Sequence, residues 1–278
     1  MNHASFTGKV AVITGGASGI GRALAEEIAR RGGAVAIADI NDARLAETAA
    51  ALDSMRADSI AIHCDVTSDA DMARLHDETI KRFGQVDLLC NNAGVAVIGP
   101  PERATIEDWQ WILDINLLGI VRGVRAFVPA MIERGAGHVL NTGSVAGTWA
   151  YTWDAAPYIS SKFAVYGLSE TLARRLRPVG VGVTVLCPAL ITTNLADTFR
   201  YSGVPEDKYA DWMYLPPDML DTPKEPVDAA QTALDAVEAN RFAAFTHERD
   251  AQHFRTWRLD IDASLTDAIK NSPPPPQL

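Results

Sequence analysis

The chain has 278 residues, of which 47% are hydrophobic, and it carries a formal net charge of −10. This length fits a single α/β domain with a large core, and the acidic surface excludes nucleic acid and anionic membranes as expected partners. Three cysteines without paired spacing and a short polar N-terminus without a signal-peptide pattern lead us to expect reduced thiols and a cytoplasmic location. We find no apolar stretch that approaches the roughly 20 residues of a membrane span.

Short, continuously apolar runs alternate with segments of helical spacing along the chain. Runs without polar alternation are typical of strands that are buried on both faces of a parallel sheet. The predicted strands are Lys9–Thr14, Ala34–Asp39, Ser59–Cys64, Val86–Cys90, His138–Thr142, Val181–Cys187 and Phe242–Thr246. The predicted helices are Gly19–Arg31, Ala43–Arg56, Asp69–Phe83, Thr105–Arg134, Ala155–Arg177 and Val227–Asn240. This alternation predicts a doubly wound, Rossmann-type parallel sheet of seven strands with helices on both faces, in a single α/β domain.

Two segments interrupt this alternation. Leu190–Pro226 connects a strand to a helix and is too long for an ordinary connection, so we predict an inserted substrate loop at about residues 190–226. Ser272–Leu278 contains four consecutive prolines, which predicts a disordered tail. The folded domain is therefore expected to span residues 1–271.

A glycine-rich turn follows the first predicted strand and opens the first helix. It reads Thr14-Gly15-Gly16-Ala17-Ser18-Gly19-Ile20-Gly21. So little side-chain bulk would let the backbone approach a pyrophosphate, to which the helix N-terminus would present N–H donors and partial positive charge. The alternative is a tight turn with a purely structural role. The position between a strand and a helix favours dinucleotide binding.

Asp39 closes the second predicted strand, about twenty residues after the glycine turn. An acid at this position can accept hydrogen bonds from the adenosine ribose and would repel a 2′-phosphate. Ile40 and Asn41 follow it, rather than Arg or Lys, so the sequence favours NAD over NADP. The alternative is that Asp39 is a plain helix N-cap, a role that Asp42 could fill instead.

Tyr158 and Lys162 lie four residues apart at the beginning of a predicted helix, and Ser144 follows the fifth predicted strand. Residues with this spacing share one helix face. A nearby ammonium and a positively charged nicotinamide would favour the phenolate form of the tyrosine, which can then exchange a proton with an alcohol. The Ser144 hydroxyl could hydrogen-bond the substrate oxygen. The alternative is a surface tyrosine beside a solvated lysine.

The chain resembles the short-chain dehydrogenase/reductase family over roughly Phe6 to Asn194. The resemblance rests on the glycine turn, the strand-end acid, Asp65-Val66, Asn91-Asn92-Ala93-Gly94, Asn116, Ser144 and Tyr158-Ile159-Ser160-Ser161-Lys162, in family order and spacing. It implies a Rossmann-type dinucleotide-binding catalytic domain and a homodimer or homotetramer formed through the two long helices. One departure is Pro188-Ala189, where the family usually has Pro-Gly, and we expect the added methyl to restrict the turn or crowd the nicotinamide pocket.

The resemblance also implies individual roles. Ile20 would help to place the cofactor, Asp65 and Val66 would line the adenine, and Asn116 would hold a water that relays protons from Lys162. The implied catalytic residues are Asn116, Ser144, Tyr158 and Lys162. The implied contacts to NAD are Gly15, Ser18, Gly19, Ile20, Gly21, Asp39, Asp65, Val66, Asn92, Ala93, Gly94, Tyr158, Lys162, Pro188 and Thr193. The six histidines lack metal-ligand spacing, so no metal is expected.

The inserted loop is rich in aromatic and aliphatic residues, among them Phe199, Tyr201, Tyr209, Trp212 and Met213. If they border the nicotinamide, the small-molecule substrate is a bulky, apolar or aromatic secondary alcohol or ketone, and the chain also loosely resembles aryl-alcohol dehydrogenases of the lignin type. The alternative is that these residues only pack the loop or an interface. Two other functions stay open: an NAD-retaining dehydratase or epimerase, and a non-catalytic NAD-binding regulator.

Overall fold

In the computed structural model, which describes residues 5–212, 214–217 and 222–271, seven parallel strands form the central sheet. The strands are β1 (Val10–Thr14), β2 (Ala34–Asp39), β3 (Ser59–His63), β4 (Leu88–Asn91), β5 (Gly137–Thr142), β6 (Val181–Cys187) and β7 (Ala243–Phe245). The helices are α1 (Gly19–Arg30), α2 (Asp42–Ser54), α3 (Asp69–Phe83), α4 (Ile106–Leu113), α5 (Gly119–Arg134), α6 (Ala156–Leu176), α7 (Pro226–Glu238), α8 (Glu248–Leu259) and α9 (Ile261–Asn271). The predicted fold class is confirmed.

The strand order across the sheet is β3-β2-β1-β4-β5-β6-β7. The chain first moves outward from β1 to β3 and then returns to place β4 on the other side of β1. In open α/β sheets a binding crevice forms at the carboxyl ends of the two strands where the order reverses. Here those strands are β1, which ends at Thr14, and β4, which ends at Asn91. The topology therefore locates the site before any side chain is considered.

The central strands of the sheet are buried on both faces, which explains why they show no polar alternation. Along β1, Ala11 and Ile13 belong to the core cluster that contains Leu24 of α1, whereas Val12 belongs to the opposite cluster with Phe127 of α5. All five residues of β1 are buried. Successive side chains of a strand point to opposite faces, so a strand between two helical layers needs apolar residues at every position.

The predicted helix Thr105–Arg134 is interrupted in the structure. A π-helical turn, Asp114–Leu118, separates α4 from α5. Single π turns inside helices often occur at functional sites, because the extra residue turns a side chain out of the regular helical spacing. This turn carries Asn116, which is only 1% exposed.

By length and composition alone, one helical stretch among the described residues, Ile106–Arg134, is apolar enough to cross a membrane. The sequence analysis did not anticipate this. A core helix of a soluble protein meets the same criterion, and Phe127, Val128 and Met131 of this stretch are buried in the core cluster on one sheet face.

Both ends of the long insertion are tied to each other beside β6. Ile191 forms an isolated β-bridge with Lys224, and the Thr192 amide donates to the Lys224 carbonyl at 2.9 Å. Between them a two-residue strand, Arg200–Tyr201, pairs in parallel with Val97–Ile98. Helices α8 and α9 follow β7, and the sequence pattern did not predict them. The predicted tail, residues 272–278, lies outside the described residues.

Candidate active site

A cleft of about 340 Å³ runs along the carboxyl edge of the sheet, at the point where the strand order reverses. Of the residues predicted to bind the cofactor, all but Gly21 line this cleft: Gly15, Ser18, Gly19, Ile20, Asp39, Asp65, Val66, Asn92, Ala93, Gly94, Tyr158, Lys162, Pro188 and Thr193. Gly21, Asn116 and Ser144 are not part of the lining. The groove thus brings together predicted site residues that are far apart in the sequence. The most distant pair, Gly15 and Thr193, is separated by 178 positions.

The glycine turn lies where only a bare backbone fits. Gly15 has φ +63°, and a Cβ atom on it would lie 2.8 Å from Cα of Ala93. A Cβ atom on Gly21 would lie 2.0 Å from the Gly15 carbonyl oxygen, so Gly21 packs against the turn rather than facing the cleft. Ser18, the N-cap of α1, forms no capping hydrogen bond through its side chain. The first N–H groups of α1 are therefore not capped by Ser18, and the cradle fits a pyrophosphate.

Asp39 is held by two backbone amides. Its carboxylate oxygens accept hydrogen bonds from Ala17 N at 3.1 Å and from Asn41 N at 3.0 Å. The cap of α2 is Asn41, whose side chain accepts from Arg44 N, so Asp39 is not the N-cap, and neither is Asp42. A carboxylate has about four acceptor positions, so Asp39 retains capacity for the hydroxyls of a ribose.

Arg44 also lines the cleft, and the sequence analysis did not identify it. Its guanidinium Nη2 lies 2.8 Å from Oδ2 of Asp197, which belongs to the 3-10 turn Asn194–Thr198 of the insertion. A sequence signal existed, because Arg44 is only five residues beyond Asp39. Its partner could not be read from the sequence, because the two residues are 153 positions apart.

Tyr158, Lys162 and Ser144 meet at the other end of the cleft. Tyr158 lies in the first turn of α6 and Lys162 one turn later, with Nζ 5.7 Å from the centroid of the Tyr158 ring. Ser144 follows β5, and its Oγ accepts from Ala146 N at 3.1 Å and lies 3.4 Å from the Pro188 carbonyl oxygen, to which it donates. Lys162 donates from Nζ to the Thr142 carbonyl at 3.0 Å. The strand end and the helix therefore fix all three groups.

Burial dominates the ionisation of this pair. It lowers the pKa of Lys162 from 10.5 to about 8, because the charged ammonium is removed from water. Burial also raises the pKa of Tyr158 above its ordinary value, and the neighbouring Ser144 hydroxyl acts in the opposite direction. In the protein alone the phenol is therefore protonated at neutral pH. A phenolate needs further positive charge, which fits a site for an oxidised nicotinamide.

The oxygen and the nitrogen of the Asn116 side-chain amide are both hydrogen-bonded. Its Oδ1 accepts from Val95 N at 2.9 Å, and its Nδ2 donates to the Val95 carbonyl and to Ser161 Oγ, each at 3.0 Å. It thereby holds the segment after β4 against α6. A water held by Asn116 stays a prediction.

The turn after β6 is formed without the expected crowding at Ala189. The backbone φ of Ala189 is not positive, and the Ala189 N–H donates to Thr246 Oγ1 at 3.2 Å. The residue packs in the cluster of Trp149 and Trp257 and is not part of the cleft lining. Thr193, further along, brings the chain over the glycine turn, so that a Cβ atom on Gly19 would lie 3.1 Å from Thr193 Cγ2.

A glycine turn at the switch point, an acid at the end of β2 and a Ser-Tyr-Lys group are together typical of a dinucleotide-dependent oxidoreductase. The family model described as short chain dehydrogenase matches residues 9–202. The chain belongs to this family, and the predictions of the family and of an enzyme of the short-chain dehydrogenase type are confirmed. Among the described residues, no group of three or more His, Cys, Asp or Glu could hold a metal ion.

A solved short-chain dehydrogenase/reductase from Burkholderia phymatum, in complex with NAD, is 33% identical with a TM-score of 0.81, and the match covers 98% of this chain and 99% of that chain. The predicted cofactor, NAD, agrees with this neighbour. A 3-alpha-(or 20-beta)-hydroxysteroid dehydrogenase from Mycobacterium tuberculosis is 38% identical over 72% of this chain and 74% of its own length.

Two further relatives differ in the substrates that their names imply. D-threitol dehydrogenase from Mycolicibacterium smegmatis is 38% identical over 68% of this chain and 72% of its own length. C alpha-dehydrogenase from Sphingobium sp. is 36% identical over 70% of this chain and 64% of its own length. The family therefore supports oxidoreduction of alcohols and ketones and leaves the substrate to be argued from this chain.

Proposed function

We propose that this protein interconverts a secondary alcohol and a ketone with NAD(H), and that Tyr158 is its acid and base. The proposal rests on one observation: Tyr158 and Lys162, with Ser144 beside Tyr158, lie at one end of a groove that also contains the glycine turn and Asp39. The groove can hold a dinucleotide along its length. At the catalytic end of the groove, Tyr158 is then the proton acceptor, and the Ser144 hydroxyl beside it is the hydrogen-bond donor.

In the oxidation direction the alcohol O–H bond breaks as its proton moves to Oη of Tyr158, which begins as the phenolate. The C–H bond of the same carbon breaks at the same stage, and bound NAD⁺ supplies the acceptor for that hydride. Ser144 donates from Oγ to the substrate oxygen and keeps it within reach of Tyr158. Reduction of a ketone is the reverse, with Tyr158 donating its proton.

Lys162 has two tasks in this scheme. Its ammonium stabilises the phenolate through space, and its N–H groups can hold the ribose next to the nicotinamide. Because burial already lowers the pKa of Lys162 to about 8, the ammonium is charged at pH 7 and loses its proton within the alkaline range of an assay.

We further propose that the enzyme prefers NAD⁺ to NADP⁺. Asp39 accepts from Ala17 N of the glycine turn, which fixes its carboxylate beside the cradle. A carboxylate at this position accepts hydrogen bonds from ribose hydroxyls and repels a 2′-phosphate.

An apolar or aromatic substrate is the best fit to the surroundings of Tyr158. The tyrosine packs against a cluster that contains Ile98, Val204 and Trp212, and Phe199 and Tyr209 of the insertion pack against the same cluster and are only partly buried. The relative that acts on hydroxysteroids supports this, and the D-threitol dehydrogenase weighs against it. Trp212 itself is buried and meets Trp153 edge to face, so it packs the loop down. Met213 lies outside the described residues.

The test is a panel of alcohols mixed with the purified protein and NAD⁺, with NADH absorbance as the readout. We expect turnover, with a higher kcat/KM for a cyclic or aryl secondary alcohol than for a polyol. A preference for the polyol would refute the proposal of an apolar substrate but not the proposed reaction. Binding of NADH without turnover on the panel would instead support a regulator, and turnover without net NADH would support a dehydratase or epimerase.

We also propose a homodimer or homotetramer with a cytoplasmic location. Leu118, at the end of the π turn, and Phe163, on α6, are each 44% exposed, on the two long helices predicted to form the interface. Exposed large apolar groups on long helices are typical of a subunit contact. The three cysteines are free and buried, which suits a reducing compartment.

A further inference from the structure

Arg44 is the one cationic side chain at the Asp39 end of the cleft among the residues described as lining it. The other lining cation, Lys162, belongs to the Tyr158 end. Arg44 is in the first turn of α2, whose N-cap Asn41 donates its backbone N–H to Oδ1 of Asp39 at 3.0 Å. Arg44 is five residues beyond Asp39, the acid proposed to bind the ribose. Its guanidinium is therefore the group that would attract a phosphate on that ribose.

The guanidinium of Arg44 is already engaged. Its Nη2 donates to Oδ2 of Asp197 at 2.8 Å, and Asn194 Nδ2 donates to the same oxygen at 3.3 Å. These hydrogen bonds, that of Arg44 first, lower the pKa of Asp197, so its carboxylate is charged at neutral pH. Asn194 and its neighbours Leu195 and Thr198 line the cleft, so the ion pair joins two walls of the same groove.

We propose that Asp197 is a second determinant of coenzyme choice, which acts by occupying Arg44. With the pair formed, the Asp39 end of the cleft carries three carboxylates, those of Asp39, Asp65 and Asp197, and the one guanidinium of Arg44, so its net charge disfavours a 2′-phosphate. Without Asp197, Arg44 can turn toward that phosphate and form a charge-assisted hydrogen bond to it. The inference rests on the proposed preference for NAD⁺.

The pair is partly open to solvent, with the Arg44 and Asp197 side chains 37% and 55% exposed. Exposed ion pairs are weak and screened by salt, so we expect Asp197 to bias coenzyme choice while Asp39 decides it. The effect should shrink as ionic strength rises.

The experiment compares wild type with Asp197→Asn. Dissociation constants for NADH and NADPH are measured by protein fluorescence, and kcat/KM for NAD⁺ and NADP⁺ by absorbance. We expect the NADPH-to-NADH affinity ratio to rise about two- to fivefold in the variant, which corresponds to the energy of one exposed charged contact. The rise should disappear in the double variant Arg44→Gln/Asp197→Asn, which removes the cation that Asp197 occupies.

The matched control is Asp207→Asn. Asp207 is an exposed acid in the same insertion, and its loss removes the same charge without freeing Arg44. If the NADPH-to-NADH affinity ratio is the same in Asp197→Asn and Asp207→Asn, the inference is overturned. It is also overturned if the rise in this ratio persists in the double variant. A wild-type preference for NADP⁺ would instead overturn the proposed NAD⁺ preference, so the two failures are distinguishable.

Discussion

Replacing Lys162 with methionine should abolish most activity and yet leave the protein without cofactor as stable as wild type or slightly more stable. The side chain is 5% exposed, and burial lowers its pKa from 10.5 to about 8. At about 1.36 kcal/mol for each pH unit, this lowering means that holding the charged ammonium in the fold costs about 3 kcal/mol. Methionine fills a similar volume without the charge. It also loses the hydrogen bond to the Thr142 carbonyl, which contributes about 1.5–3 kcal/mol as a bond from a charged donor.

The net expectation for Lys162→Met is a free energy of unfolding that is unchanged or higher by about 1 kcal/mol at pH 7, or about 2–4 °C in melting temperature. The sign follows from linkage. Below pH 8 the lysine is charged in both states, so the wild type carries the full cost of burial. Between pH 8 and 10.5 the folded state releases its proton first, and the cost declines.

Urea unfolding of both proteins without cofactor, at pH 7 and at pH 9.5, measures this difference. The advantage of the variant should be greatest at pH 7 and smaller at pH 9.5. A variant that is less stable than wild type by 2 kcal/mol or so at pH 7 would refute the reasoning, because that loss would mean the ammonium contributes more contact energy than its burial costs.

The remaining predictions concern the substrate oxygen, the coenzyme, the loop and the interface. Ser144→Ala should lower kcat about 100-fold with little change in NADH affinity, as measured by steady-state kinetics and fluorescence titration. Asp39→Ala should reduce the NAD⁺ preference in kcat/KM by about tenfold or more. Trp212→Ala should lower the free energy of unfolding by about 3–5 kcal/mol, as for a buried aromatic, whereas Phe199→Ala should mainly lower the ratio of kcat/KM for an aryl alcohol to that for a polyol. Phe163→Glu should shift the mass measured by light scattering toward the monomer.

Sequence alone predicted the fold because its physical signals are local. The central strands of the sheet are buried on both faces and therefore read as continuous apolar runs, and the predicted strand ends differ from the observed ones by no more than two residues. The glycine turn could also be recognised, because the close approach of Gly15 to Ala93 leaves no space for a side chain. The spacing of Tyr158 and Lys162 needed only the period of a helix.

What the sequence could not predict depends on tertiary contacts. The π turn Asp114–Leu118 adds one residue to an otherwise regular helical pattern. Helix α9 has Ile261, Leu265 and Ile269 at helical spacing, a stripe that the sequence analysis missed and that is exposed in the structure. Ala189 packs against a cluster that includes Trp257, which belongs to a segment that follows β7. The pairing of Arg44 with Asp197 likewise exists only once the insertion has folded over the cleft.

The most direct test of the central claim is Tyr158→Phe, measured for turnover and for NADH binding in the same preparation. Phenylalanine keeps the ring that packs against the Trp212 cluster and removes only the hydroxyl that exchanges the proton. The account predicts that kcat falls by about 100-fold or more, the contribution of a positioned acid and base, while the dissociation constant for NADH changes by less than about threefold. Turnover close to that of wild type, with NADH still bound, would contradict it.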